Sequence, residues 1–172
     1  MNILVTVASK HGATAEIASR IAATLREDGH EVEVLAPPAV RDVTRYDAVI
    51  LGSGVYAGRW IGSAKEFGEA NADALRARPV WLLSSGPLGE TPKPAEDPAD
   101  ATKMVELLHP RGHRVFAGSL SKEEMGFAER AIIGMVKAPY GDFRNWSEIT
   151  AWAHEIAREL DGASAELERI PA

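Results

Sequence analysis

Cysteine is absent from the 172-residue chain. Its absence excludes disulfides, thiol nucleophiles, thiolate zinc centres and cysteine-ligated iron–sulfur clusters, and it fits a reducing cytoplasm. Long apolar runs are missing too. No stretch approaches the ~20 apolar residues of a membrane span. The short apolar run near Met1 has no basic leader, so a signal peptide is not expected. Positive charge is in deficit, with a formal net charge of −6. That balance argues against a nucleic-acid partner, because phosphate contacts want a basic face.

Several motifs are lacking as well. No G-x-x-x-x-G-K-[ST] loop, three-glycine dinucleotide turn or G-x-S-x-G elbow is present. The histidines are scattered, and no His/Asp/Glu set has metal-ligand spacing. A phosphoacceptor receiver needs a carboxylate cluster after strand one and an Asp ending strand three. This chain offers Ala8-Ser9-Lys10 and Gly52-Ser53 there.

What is present is an alternation of strands and helices in one domain, expected over 1–162 with a loose tail at 163–172. Ile3–Ala8, Asp47–Gly52 and Pro79–Ser85 read as buried strands. Glu31–Ala36 alternates like a strand with one wet face, and His113–Gly118 is a further strand. Helices are expected after the first loop, with Ile17, Ile21 and Leu25 on one face and Gly29 at the C-cap, from about Ile61 to Leu75 and from about Ala99 to Leu108, with a final one carrying Ile149, Trp152, Ile156 and Leu160 on one side. Near-continuous apolar strands alternating with helices define an α/β doubly wound parallel sheet covered on both faces. Trp81 and Trp152 fall on apolar faces, and Trp146 is placed for a staple-like contact.

Ligands of such sheets sit beyond the carboxyl ends of the strands, where strand order reverses. Three loops leave those ends, Ser9–Thr14, Ser53–Trp60 and Ser84–Gly89, all rich in Ser and Gly. The first, "VTVASKHGATAEIA", runs from a strand into a helix. Helix N-termini carry unpaired N–H groups and partial positive charge, and they bind anions. Two readings stand for this loop: Ser9 caps the helix, or the loop holds an anion. His11 is either a solvent-exposed loop residue or part of the site.

After Gly118 the alternation is interrupted. Ser121 and Glu124 form a capping-box pair, Met125, Ala128, Ile132, Met135 and Val136 share a face, and Asn145 and Glu148 form a second box before the last helix. The "GPLGETPKPAEDPAD" loop, Pro-rich and acidic, reads as mobile.

The first loop resembles the phosphate loop of flavodoxin-like proteins, roughly [ST]-x-x-G-x-T after strand one. Here Ser9, Gly12 and Thr14 fill a variant, Ser9-Lys10-His11-Gly12-Ala13-Thr14, of the common T-x-T-G-x-T. The variant, the "GSGVYAGRW" loop, and "FAGSL" followed by an insertion and "DFRNWSEITAWAHEIA" are similar to the flavodoxin-type, quinone-dependent protoporphyrinogen oxidases. The resemblance spans nearly the whole chain. It implies a flavodoxin-like five-stranded parallel sheet of order 2-1-3-4-5, with helices on both faces and a helical insertion after the fifth strand.

The resemblance also implies FMN. Ser9, Lys10, His11, Gly12, Ala13 and Thr14 would cradle its phosphate, with Lys10 either adding charge or merely solvated. Ser53, Gly54, Val55 and Tyr56 would border the ring system, with a glycine there free to turn its carbonyl. Ser84, Ser85, Gly86, Pro87 and Leu88 would line the opposite side. Tyr56 and Trp60 are the aromatics available for stacking, with packing at the start of the second helix an equal alternative for Trp60. No aromatic lies between Ser84 and Glu90, so one flavin face would stay open to substrate.

The activity the resemblance implies is FMN-dependent oxidation of a reduced substrate of the protoporphyrinogen kind, with electrons passed to a quinone. No acid or base side chain is required, so no catalytic residue is named. The alternatives are a soluble electron carrier whose acidic surface suits basic redox proteins, and a flavin-free binding module on the same fold. The insertion at 122–146 would pack on the sheet edge, form a homodimer contact, or touch substrate or the inner face of a membrane.

Overall fold

A computed structural model describes residues 1–86, 97–121, 126, 130–131 and 140–167. Strand β1 (Asn2–Ala8) leads through a short loop into helix α1 (Ala13–Glu27), then β2 (Glu31–Leu35) and β3 (Ala48–Tyr56). Next come β4 (Arg59–Trp60), α2 (Gly62–Ala70), α3 (Ala72–Arg76) and β5 (Val80–Ser85). The chain continues with α4 (Ala99–Leu108), β6 (Gly112–Phe116), β7 (Ser119–Leu120), β8 (Gly141–Asp142) and the C-terminal helix α5 (Trp146–Leu167).

The main sheet runs β2-β1-β3-β5-β6, all parallel, with β4 paired antiparallel to β3. Counting only the parallel strands, this is the 2-1-3-4-5 order expected. The two-residue side-chain period of the strands divides the interior into two layers. Ile3, Val5, Val7, Ile50, Trp81 and Leu83 face α1 and α5. Leu4, Val49, Leu51, Val80 and Leu82 face α2, α3 and α4. Apolar residues on both sides of β1, β3 and β5 are what make these strands read as unbroken apolar runs. Trp81 and Trp152 lie in the core, and Trp152 meets Phe116 edge-on at 5.5 Å.

Three local features differ from the sequence-based expectations. The second helix breaks at Asn71, whose side-chain amide donates to the Phe67 carbonyl at 2.9 Å and takes up a group of the last turn. The segment expected as a loop after Gly52 continues as strand to Tyr56 and returns as β4, making a tight hairpin. Prolines and Asp42 fold the 37–46 connection into two short 3₁₀ turns. Helix α5 continues past Gly162 to Leu167.

At the root of the insertion, β7 and β8 pair Ser119 with Asp142 and Leu120 with Gly141. Arg130 and Ala131 are helical, and Arg130 N–H donates to Gly126. The face formed by Met125, Ala128, Ile132, Met135 and Val136 lies outside the described residues, as do Glu124 of the first capping box and the 87–96 loop. Asn145 does cap α5, its side-chain oxygen accepting from Ser147 and Glu148 N–H. No helix among the described residues is long and apolar enough to cross a membrane.

Candidate functional site

Parallel pairing brings three loops together at one end of the sheet. Ala8 pairs with Ser53, Ser53 with Ser84, and Gly54 with Ser85, so the chain leaves β1, β3 and β5 at the same level. This is the end at which strand order reverses between β1 and β3, the place where doubly wound sheets hold ligands.

Ser9 does not cap α1. The N-cap is Gly12, in the left-handed region at φ 86°, and no side chain caps the helix. A residue with a Cβ is strained there, which is why glycine occupies it. The first-turn N–H groups are therefore without a side-chain partner. Beside them the Ser9 hydroxyl oxygen is buried with no hydrogen-bond partner. Among the described residues only Thr6 Oγ1 and His30 Nε2 share that condition, and neither lies in the three loops. An unpartnered buried hydroxyl next to an uncapped helix terminus suits an anion.

Thr14 is buried and faces the second loop: a Cβ at Gly54 would stand 3.1 Å from its hydroxyl and 3.0 Å from the Tyr56 ring. Tyr56, 38% exposed, receives two contacts from the first loop. His11 meets its ring edge-on at 6.1 Å, and Lys10 Nζ stands 5.7 Å from the ring centroid. His11 is half-buried by this contact. These distances bring Lys10, His11, Thr14, Gly54 and Tyr56 into one cluster.

Other candidates occupy supporting positions. Trp60 is only 3% exposed, and its indole N–H donates to Ser84 Oγ at 2.8 Å. Its ring packs in the core beneath the hairpin, not on an open stacking face. Ser53 donates to the Gly54 carbonyl and accepts from Ile61 N–H. Ser84 and Ser85 are buried. Gly54 sits inside β3, paired with Ser85. The backbone freedom expected of it belongs instead to the turn residues Ala57 and Gly58, at φ 49° and 75°. Positive φ at both central residues marks a type I′ hairpin turn. Gly86 lies close under β3, where a Cβ would come within 2.8 Å of the Val55 carbonyl. Pro87 and Leu88 lie outside the described residues.

Three anchoring residues carried no spacing signal in the sequence. Asp100, buried in the first turn of α4, accepts from Trp60 N–H at 3.1 Å and stands 3.5 Å from both Arg59 Nε and Lys65 Nζ. It ties the hairpin's return arm to α4. Arg144, after β8, binds Asp142 through two nitrogens and reaches Glu16 and the Ala13 carbonyl at the start of α1. Its guanidinium also lies 4.5 Å from the Trp146 ring centroid. The hydrogen bonds from Arg144 hold the Asp142 carboxyl below the usual carboxylate range. His113 on β6 contacts Ser84 Oγ at 2.9 Å, and burial pushes its pKa below the ordinary histidine value despite the nearby Asp97 carboxylate.

Residues 4–146 match the flavodoxin domain family. The chain belongs to that family, a class of flavodoxin-type oxidoreductases and electron carriers. It is 25% identical to protoporphyrinogen IX dehydrogenase [quinone] of Escherichia coli K12 over 177 aligned positions, covering 94% of this chain and 97% of that protein. Among solved structures, a Streptococcus pneumoniae TIGR4 flavodoxin superposes with a TM-score of 0.64 at 20% identity, over 92% of this chain and 99% of that one. Rubredoxin oxygen:oxidoreductase of Desulfovibrio gigas superposes with a TM-score of 0.62 at 13% identity, over 94% of this chain and 36% of that one. The structural likenesses establish the fold.

Proposed function

We propose that this chain is an FMN-dependent oxidoreductase that takes electrons from a reduced substrate of the protoporphyrinogen class and delivers them to a quinone. The observation that carries the cofactor is the buried, unpartnered Ser9 hydroxyl beside the uncapped start of α1. A phosphate is the ligand this arrangement suits: the first-turn N–H groups and the hydroxyls of Ser9 and Thr14 donate, and Lys10 adds charge. The donor set therefore fits a phosphorylated cofactor.

Gly54, Val55 and Tyr56 would border the ring system, Ser85 and Gly86 its other side, with Tyr56 as the aromatic face. The Trp60, Ser53 and Ser84 hydrogen bonds would hold that border rigid. Bound there, the flavin would supply the electron-transfer chemistry. The chain's own residues bind, orient and exclude water. The substrate and acceptor rest on the E. coli relative, whose similarity runs through 94% of this chain.

The net charge of −6 and the flavodoxins among the structural neighbours favour a second reading, an electron carrier between proteins. Anaerobic porphyrinogen oxidation with a menaquinone analogue, followed by porphyrin fluorescence, separates the two. Quinone-dependent porphyrin formation that vanishes without FMN is expected. Bound, reducible flavin without turnover above free FMN would favour the carrier, and no perturbed flavin spectrum would defeat both.

A further inference from the structure

A polar chain runs beneath the site and across three strands. Trp60 Nε1–H donates to Ser84 Oγ at 2.8 Å, Ser84 Oγ lies 2.9 Å from His113 Nε2, and His113 Nδ1 lies 3.5 Å from Asp97 Oδ1. The Asp–His–Ser order has the look of a nucleophile set. Ser84 is wholly buried and already accepts from an indole, so no substrate carbon reaches it.

We propose that His113 is a positioning residue for the Tyr56–Arg59 hairpin, acting through Ser84 on Trp60, and that only its neutral form does so. The reasoning is a donor count. Indole N–H can only donate, so it occupies one acceptor site of Ser84. The hydroxyl's own proton then needs an acceptor. His113 Nε2 serves if the ring proton sits on Nδ1, and the Asp97 carboxylate on that side favours this tautomer. Protonating His113 aims a second N–H at Ser84 Oγ. The hydroxyl proton must then turn away in a wholly buried site, and the Trp60 contact weakens. Burial of His113 disfavours that charged form.

Other charged groups nearby are otherwise engaged. Arg114, next along β6, reaches Glu155 of α5. Asp100 of α4, on the hairpin side, is held by Arg59 and Lys65. His11 touches Tyr56 from the first loop.

The test needs no cofactor in its first arm. In ¹⁵N-labelled full-length protein, the His113 ring protons and the amides of Trp60 and Ile61 are followed from pH 8 to pH 5. We expect both amides to move with the His113 midpoint, and that midpoint to lie below the ordinary histidine value. In Ser84→Ala, His113 should still titrate while the amides stay still. In His113→Gln, whose amide oxygen can still accept from Ser84, the amides should keep their neutral-pH positions throughout. Stationary amides in the native protein, or amides that follow His113 unchanged in Ser84→Ala, overturn the proposal. If Ser84→Ala does not fold, His113→Gln decides: pH-dependent Trp60 amides there also overturn it.

The second arm rests on the FMN reading. FMN binding should weaken by about fivefold on acidification with the same midpoint, roughly one neutral hydrogen bond's worth, and not in His113→Gln. FMN binding that ignores pH while the hairpin moves overturns the positioning role. Failure to bind FMN at any pH, with the amide coupling intact, defeats the cofactor reading and leaves the coupling standing.

Discussion

Arg144 Nη1 lies 2.7 Å from a Glu16 carboxylate oxygen, although the two residues are 128 positions apart. The same nitrogen reaches the Ala13 carbonyl at 3.2 Å. One guanidinium, 7% exposed, thus fastens the far end of the insertion to the first turn of α1. Arg144→Ala is expected to cost about 2 kcal/mol. Its half-exposed carboxylate partners are partly screened, and the Trp146 stacking goes as well. Arg144→Lys should recover less than half, because an ammonium cannot reproduce the forked contacts. Urea unfolding of the two variants measures both.

Ser9→Ala separates stability from binding. The Ser9 hydroxyl is buried without a protein partner, so removing it should leave the ligand-free protein unchanged or up to about 1 kcal/mol more stable. If the hydroxyl serves a phosphate, FMN affinity should fall by about tenfold. A thermal melt without FMN and a fluorescence titration with it give the two numbers. Lost stability with unchanged affinity would remove the phosphate-loop reading.

The pH dependence of stability follows from His113. Its pKa is lowered from 6.5 by burial, with the Asp97 carboxylate opposing. A lowered histidine pKa means that the unfolded chain binds the proton more readily. Its contribution is therefore complete above the unfolded value and is lost as pH falls through 6.5 toward the folded value. Thermal midpoints measured from pH 8 to pH 5 should fall more steeply on the acid side for the native protein than for His113→Gln.

Backbone tests discriminate two glycine-like positions. Ala57 holds φ 49° in the hairpin turn, where an L-residue is strained by about 1 kcal/mol. Ala57→Gly should stabilise by about 0.5 kcal/mol, since glycine's extra chain entropy offsets part of the relief. Gly52→Ala should do the reverse: its Cβ would stand 2.4 Å from Leu83 Cγ and 3.0 Å from the Leu83 carbonyl. A loss of about 3 kcal/mol is expected in calorimetry.

The architecture was legible because its cause is local. β1, β3 and β5 are buried on both faces, so each reads as an apolar run. The site's supports were less legible. Ser9 reads equally as a helix cap or an anion ligand until Gly12 is seen in the left-handed region at the N-cap. Trp60 reads equally as a stacking ring or as a packing residue until its indole is found on Ser84, 24 residues later. Neither fact leaves a periodicity in the chain.

The amino-acid sequence by itself determined the alternation of strands and helices and the three ligand-side loops, while the sheet order was implied by the family resemblance. Solvent exclusion acts on each segment's own apolar pattern, and parallel connections admit few topologies. Only the tertiary structure decided which side chains of those loops are tied into the scaffold. Asp100 meets Trp60 across 40 positions, Ser84 meets His113 across 29, and Arg144 meets Glu16 across 128. Hydrogen bonds have a range of about 3 Å and fixed directions. Such pairings exist only once packing has brought distant segments into register.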